Sequence, residues 1–296
     1  MKKIIIDCDN TFGVEGCDLD DGLAIIYALG TGCCELLGVT TTFGNNTLDV
    51  IYPNTIAFMK QIGMETIPVF AGHASEAKEN KAAHFLAETA SRFPGEVSIL
   101  AIGSLTNLYH AWQLDSGFFE KVQQLSLMGG ITEPLIICGK QLNELNFACN
   151  HTASFHVLTH SGALKIATGN NCLDALFFKK RFDKLEHNSE PFLRWLHSQG
   201  QYWFCREKEV FGHDGIYKWD VYAACALLCP HMFHENIVEI SPDLQSLETG
   251  FLLGQGKRRT AGLPVLKDSM SYMEHVYEAY TRYVNTRYAN TKFAVR

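Results

Sequence analysis

An α/β fold with an open, mostly parallel Rossmann-like sheet and helices on both faces is the class this chain predicts. Three observations carry that reading. Short apolar runs and helical periodicities alternate along most of the 296 residues, the connections between them are short, and polar residues collect just past the ends of the apolar runs. Repeated β-α-β order with short connections means parallel pairing through right-handed crossovers. Sheets of this kind keep their ligands at the carboxyl edge of the strands.

The first strand is read over residues 3–7, where Ile4-Ile5-Ile6 runs into Asp7-Cys8-Asp9. An apolar run of this length bounded by carboxylates is a buried strand. A helix follows over 22–29, then a second strand over 36–42 that is rich in β-branched residues and closed by Phe43-Gly44-Asn45-Asn46. Helical periodicity covers 48–62, a short strand 68–71, a helix 82–92, a strand 97–102 and a helix 105–112. A strand over 124–128 ends in Gly129-Gly130, and beyond a loop the pattern is helical over 153–160 and extended over 164–168. No Pro/Ser-rich linker, charge block, low-complexity tract or internal repeat divides the chain, so a single domain over 1–296 is expected.

Composition excludes several classes. The formal net charge of −7 argues against a general nucleic-acid surface, which needs clustered Lys and Arg. Lys257-Arg258-Arg259 is the dense basic run and reads as a solvated loop. The ten cysteines are scattered, mostly in apolar segments such as Ala223-Ala224-Cys225-Ala226, and read as small core residues in a reducing cytosol. None shows zinc spacing. The apolar run after the two N-terminal lysines is too short for a signal peptide, and no stretch nears the roughly 18 apolar residues of a membrane span. A cytoplasmic protein without a membrane partner is expected.

The acids near the first strand hold the chemistry. Asp7 and Asp9 are followed, eleven residues beyond Asp9, by Asp20 and Asp21. Four carboxylates this close repel one another unless a hard cation or a shared proton neutralises them, and oxygen-only donors suit calcium or magnesium rather than zinc. Single acids after strands are often helix caps. Asp20 can cap the helix near Gly22, but a cap uses one carboxylate and leaves Asp9 and Asp21 unexplained. Asn45 and Met128-Gly129-Gly130 fall after other strands, with Glu144-Leu145-Asn146 in the loop beyond, so all would face one rim. The Gly-Gly reads either as a tight turn or as a device exposing a carbonyl, such as that of Leu127, to a cation.

Asp7-Cys8-Asp9 with Asp20-Asp21-Gly22-Leu23-Ala24, Val39-Thr40-Thr41-Thr42-Phe43-Gly44-Asn45, Ile102-Gly103-Ser104-Leu105-Thr106-Asn107, Leu127-Met128-Gly129-Gly130, Glu144-Leu145-Asn146 and Trp219-Asp220 occur in that order. Together they resemble the calcium-dependent nucleoside hydrolases, the inosine-uridine-preferring family, over roughly residues 3 to 230. The resemblance implies hydrolysis of the N-glycosidic bond of ribonucleosides to ribose and free base, with water activated on Ca2+. It further implies that Asp9, Asp21, the carbonyl of Leu127 and Asp220 hold the ion and that Asp9 takes a proton from the water. Asp20, Asn45, Glu144 and Asn146, with Asp220, would grip the ribose hydroxyls. A homodimer or homotetramer is implied as well. The chemistry accords with these residue types: departure of the base builds an oxocarbenium-like cation on the sugar, which carboxylates stabilise more than the ground state.

Departures from the family pattern concern the loop and the base pocket. The second aspartate pair is displaced by an insertion through Asp18, so the acids converge only if that loop bulges outward. Cys138 stands where many members have a sugar-contacting asparagine, and Asn143 could replace it. Trp219 reads either as core packing before a helix or as the platform on which purine-preferring members stack the base. His213, in His213-Asp214-Gly215, has the wrong spacing for the family's acidic histidine but could reach the leaving group from its loop. Tyr202, Trp203 and Phe204 are candidates for the pocket wall. Two other readings stand beside this one. The stretch from Ile4 to Thr11 resembles the first motif of haloacid dehalogenase-type magnesium phosphatases, in which the first aspartate attacks phosphorus. A nucleoside-binding protein without turnover would keep the same acids.

Overall fold

The computed structural model describes residues 1–73 and 80–293, and among them eight strands form the central sheet. These are β1 (Lys2–Cys8), β2 (Cys34–Thr41), β3 (Val69–Ala71), β4 (Val97–Ala101), β5 (Gln124–Met128), β6 (Leu164–Ala167), β7 (Ile237–Ile240) and β8 (Arg259–Gly262). Their order is β7-β8-β6-β5-β4-β1-β2-β3, with every neighbouring pair parallel except β7 against β8. The fold class read from the sequence is therefore the fold observed, and each strand predicted up to residue 168 lies within two residues of its expected bounds.

The strands are apolar throughout because both faces are covered. Alternation along β1 sends Ile4, Ile6 and Cys8 to one face and Ile5 to the other, and all four are inaccessible to solvent. On the first face pack α1 (Asp20–Thr31), α2 (Leu48–Gln61), α6 (Pro191–Phe211), α7 (Trp219–Leu228) and α8 (Ser269–Phe293); on the second, α3 (Lys81–Arg92), α4 (Thr106–Leu114) and α5 (His151–His160). Each buried isoleucine contributes about 1.5–3 kcal/mol of transfer free energy.

Strand order reverses at β1, whose neighbours β2 and β4 lead away in opposite directions. Diverging connections open a crevice there, at the carboxyl ends of the strands. Asp9, Asn45, Ile102 and Met128 all lie within four residues of the ends of β1, β2, β4 and β5, so this topology gathers them.

The insertion ahead of α1 bulges outward as expected and is pinned at several points. Phe12 turns into the core, with ring centroids 5.0 Å from Phe58 and 5.6 Å from Trp195. Thr11 Oγ1 donates to the Asp18 carbonyl at 2.7 Å, and the Tyr202 hydroxyl donates to the Cys17 carbonyl. Helix α1 begins two residues earlier than periodicity indicated, which places Asp20 and Asp21 in its first turn, where the helix dipole favours negative charge.

Candidate active site

The acids meet through hydrogen bonds. Asp21 Oδ1 accepts the Asp9 N–H at 3.0 Å, and Asp21 Oδ2 accepts from Asn45 Nδ2 at 3.3 Å. Asp9 Oδ2 accepts the Asn45 N–H at 2.5 Å. Asp20 Oδ2 accepts the Asp220 N–H at 2.7 Å, which ties the starts of α1 and α7 together across 200 residues of chain. Asp9, Asp20, Asp21 and Asp220 are all buried. The backbone makes room for them: a Cβ on Gly44 would lie 2.3 Å from Asp9 Oδ2, and one on Gly103 2.9 Å from Asp9 Oδ1.

Electrostatics follows from that packing. Burial, opposed by the Asn45 and Asp21 hydrogen bonds, raises the Asp9 carboxyl to about 6. Burial and then the neighbouring acids push Asp21 and Asp220 well above the ordinary carboxylate value, and burial and then Asp18 do the same for Asp20. Asp7 sits behind this group, fully sealed, with Oδ1 accepting from Thr40 Oγ1 at 2.6 Å and Asn107 Nδ2 at 2.7 Å. A carboxylate tied to the protein on that side and closed to solvent cannot reach phosphorus, which removes the structural basis for a phosphatase nucleophile.

Among the described residues no three His, Cys, Asp or Glu side chains stand as a ready ligand set. The donors nevertheless suit a hard cation. They are oxygens only, and Oδ1 of both Asp9 and Asp20 is buried with no hydrogen-bond partner. An unpartnered buried carboxylate oxygen is costly, and a bound cation relieves that cost. Leu127 is buried inside β5, in register with Ala101 and Ile166, one residue before the cavity-lining Met128.

Beside the acids opens a cavity of about 380 Å³. Asn45, Asn143, Glu144, Asn146, Trp219 and Asp220, all singled out in the sequence, line it. Glu144 is held rigidly: Oε1 accepts the N–H groups of Gly130 at 3.1 Å and Phe147 at 3.0 Å, while Oε2 accepts that of Ala148 at 2.9 Å. Gly130 reaches this position with φ of 73°, in the left-handed region that favours glycine. Asn146 Nδ2 donates to the carbonyls of Ile102 and Met128, both at 3.1 Å, which leaves its Oδ1 without a protein partner among the described residues.

Two candidates lie elsewhere. Cys138 is exposed at the tip of the hairpin formed by Leu135–Ile137 and Lys140–Leu142, outside the cavity lining. Its φ of 48° and that of 77° at Gly139 make a two-residue turn of the type that suits hairpin twist, so the position serves the turn. His213 is also outside the lining. Both its ring nitrogens are buried without a partner, and its ring lies parallel to Phe211 at 5.8 Å and edge-on to Tyr217 at 5.4 Å. Of the three aromatic candidates for the pocket wall, Trp203 lines the cavity, Phe204 is core, and Tyr202 anchors the Cys17 loop.

Sequence reasoning missed two features. The cavity wall facing the acids is built by Trp203, Arg206, Glu207, Val210 and Phe211 of α6. The i, i+3, i+4 spacing on one helix was the available signal. The second is Lys218, fully buried, whose Nζ donates to the Tyr280 hydroxyl at 2.9 Å and sits 3.6 Å from the centre of the Phe177 ring. Burial lowers its pKa well below the usual lysine value, with the charge of Asp20 opposing. Nothing local distinguishes a lysine that packs this way from a surface one.

The comparisons with known proteins agree with this geometry. The profile of the inosine-uridine preferring nucleoside hydrolases matches residues 4–277. A probable uridine nucleosidase 1 from Oryza sativa subsp. japonica is 26% identical over 289 residues, covering 87% of this chain and 86% of that protein. Among solved structures, the plant nucleoside hydrolase PpNRh1 superposes with a TM-score of 0.83 at 20% identity, over 95% of this chain and 99% of its own. A purine-preferring ribonucleoside hydrolase from Gardnerella vaginalis gives 0.79 at 17% identity, over 97% and 99%. With strand order, acidic crevice and a profile match over nearly its whole length in accord, the chain belongs to the inosine-uridine preferring nucleoside hydrolase family and is a metal-dependent ribonucleoside N-ribohydrolase.

Proposed function

We propose that the chain cleaves ribonucleosides with calcium held by Asp9, Asp21, the Leu127 carbonyl and Asp220, and that the ribose lies between these acids and Asn45, Asn143, Glu144 and Asn146. The observation that carries this reading is the buried, unpartnered Oδ1 of Asp9, open to a cation, and that of Asp20, open to a sugar hydroxyl, beside a cavity lined with further polar groups. When bound, calcium supplies a Lewis-acid charge that lowers the pKa of the attacking water.

The chain's own residues do the rest. Asp9 is placed to take the proton that the water loses as it bonds to the anomeric carbon. Asp20, Asp220 and Glu144 surround the sugar with negative charge that grows in value as the oxocarbenium-like cation develops. Because Glu144 is already fixed by main-chain N–H groups, it needs no reorganisation when that charge appears. Asn146, its amide nitrogen occupied by two carbonyls, offers Oδ1 to a hydroxyl. Trp219 and Trp203 supply aromatic faces for the base.

A panel of inosine, adenosine, guanosine, uridine and cytidine, incubated with the protein and calcium, tests the proposal by release of reducing sugar. Uridine heads the panel because the Oryza sativa relative is named for it. Sugar from at least one nucleoside is expected, and its loss on chelation of the metal. Sugar release that survives complete chelation would remove calcium from the proposal; tight binding with no release would favour a non-catalytic nucleoside-binding protein.

A further inference from the structure

One buried acid in the cavity has no part in the chemistry above. Glu207 of α6 is 7% exposed and lines the cavity beside Trp203, Arg206 and Phe211. Its one hydrogen bond among the described residues is long, 3.5 Å from Arg206 Nη1 to Oε1, and Oε2 has no protein partner. The same contact makes a long ion pair on one oxygen only, with the guanidinium also 4.4 Å from the centre of the Trp203 ring. A carboxyl buried at a cavity wall with one oxygen unengaged is available to a ligand rather than consumed by the fold.

The reaction needs such a group. When the bond between the anomeric carbon and the base breaks, its electron pair stays on a ring nitrogen, and an anionic base is costly beside the carboxylates that line the cavity. A positioned acid that protonates it contributes about 10²–10⁴-fold in rate. The other candidates on the page fall short. His213 is stacked behind Phe211 with both nitrogens enclosed. Trp219 has only an indole N–H, which does not leave as a proton. Asp18 uses Oδ1 to accept the N–H groups of Leu19 at 2.5 Å and Asp20 at 3.0 Å, and Glu144 accepts from three main-chain N–H groups.

We propose that Glu207 is the acid that meets the departing base and gives its carboxyl proton to a ring nitrogen as the glycosidic bond breaks. The inference rests on the ribohydrolase reading. The electron pair of the broken bond goes to the base nitrogen, which takes the Glu207 proton. Water bonds to the anomeric carbon, its proton passes to Asp9, and the Glu207 carboxylate, beside Arg206, regains a proton from solvent. Burial and then the Asp18 charge raise the Glu207 carboxyl to about 7, with Arg206 opposing, so a substantial protonated fraction exists at neutral pH. The charged and titratable groups facing it are Arg206 on its own helix, Asp18 on the loop before α1, and Tyr217 on the Gly215–Tyr217 strand.

The test compares nucleosides with 4-nitrophenyl β-D-riboside, whose leaving group departs as a stable anion and needs no proton. Glu207→Gln keeps the shape of the side chain and a similar packing. We expect kcat on the nucleosides to fall by about 10²-fold or more, and on the aryl riboside by less than about tenfold. The wild type should lose nucleoside kcat as pH rises through the range where Glu207 ionises, and Glu207→Gln should lose that limb. Glu207→Asp, an acid one methylene shorter, should retain more nucleoside activity than Glu207→Gln. Equal losses on the two substrate types, or undiminished nucleoside turnover in Glu207→Gln, would overturn the assignment. If the wild type cleaves neither substrate, the ribohydrolase reading fails, and the Glu207 assignment with it.

Discussion

The two walls of the cavity are built on different principles. The acidic wall hangs from strand ends and helix starts: Asp9 after β1, Asn45 after β2, Asp20 and Asp21 in the first turn of α1, Asp220 in the first turn of α7. Main-chain N–H groups hold the carboxylates of Asp9, Asp20 and Asp21. The facing wall is one side of α6, with the long side chains Trp203, Arg206 and Glu207 reaching inward and few bonds between them. On the proposed reading the rigid parts serve the metal and the ribose, and the ribose is common to every ribonucleoside. Adaptable parts belong to the base, which differs between substrates.

If that division holds, damage to the two walls has different signatures. The largest effect is expected from Asp9→Asn, which should lower kcat by about 10²–10³-fold to a similar degree on every nucleoside, as removal of other preorganised electrostatic groups does. A loss confined to one base would break the comparison. Trp203→Ala should cost about 1–3 kcal/mol of base stacking, read as a raised KM that varies from base to base. A uniform fall in kcat instead would move Trp203 to the chemical wall.

The acidic wall should also be visible in stability. Asp9 near 6 and Asp7 near 7 hold protons in the folded chain that the unfolded chain has released above about pH 4. The folded state then binds more protons than the unfolded one, so stability of the metal-free protein falls as pH rises from about 4 through about 7. Added calcium should restore thermal stability more at about pH 8 than at about pH 5, where the acids are largely protonated. A metal-free melting temperature that rises steadily across this window would contradict the assignment of these acids as buried and mutually repelling. The smallest effect is expected from Cys138→Ser at the hairpin tip, where kinetics on every nucleoside should stay within about twofold. A marked rise in KM would return that position to the sugar site.

The two walls also differ in how far they could be read from the amino-acid order. Asp9 and Asn45 follow apolar strands, so topology alone carries them to one rim, whereas Asp220 is placed there by the family resemblance of Trp219-Asp220. Glu144 and Asn146 come from a loop, and the residues themselves do not reveal that Gly130, Phe147 and Ala148 would orient the carboxylate. Cys138 sits in a hairpin turn of two left-handed residues, which counting back from Asn146 does not reveal. The residue type of His213 is legible, but its place outside the cavity lining, between Phe211 and Tyr217, is not. Glu207 was legible only as one of a set spaced i, i+3, i+4 along a helix, and Lys218 had no local signal. Glu207, a charged residue in an amphipathic helix, reads as solvated until the placement of α6 turns it to a cavity, and Lys218, just ahead of α7, is buried only because Tyr280 of α8 and the Phe177 ring cover it.

The most direct test of the central claim pairs calcium titration calorimetry with sugar release in the wild type and in Asp21→Asn. The account predicts that the wild type binds calcium and cleaves at least one ribonucleoside, and that the variant, with an unchanged circular dichroism spectrum, loses both. Undiminished turnover in Asp21→Asn, or a wild type that releases sugar without binding calcium, would contradict it.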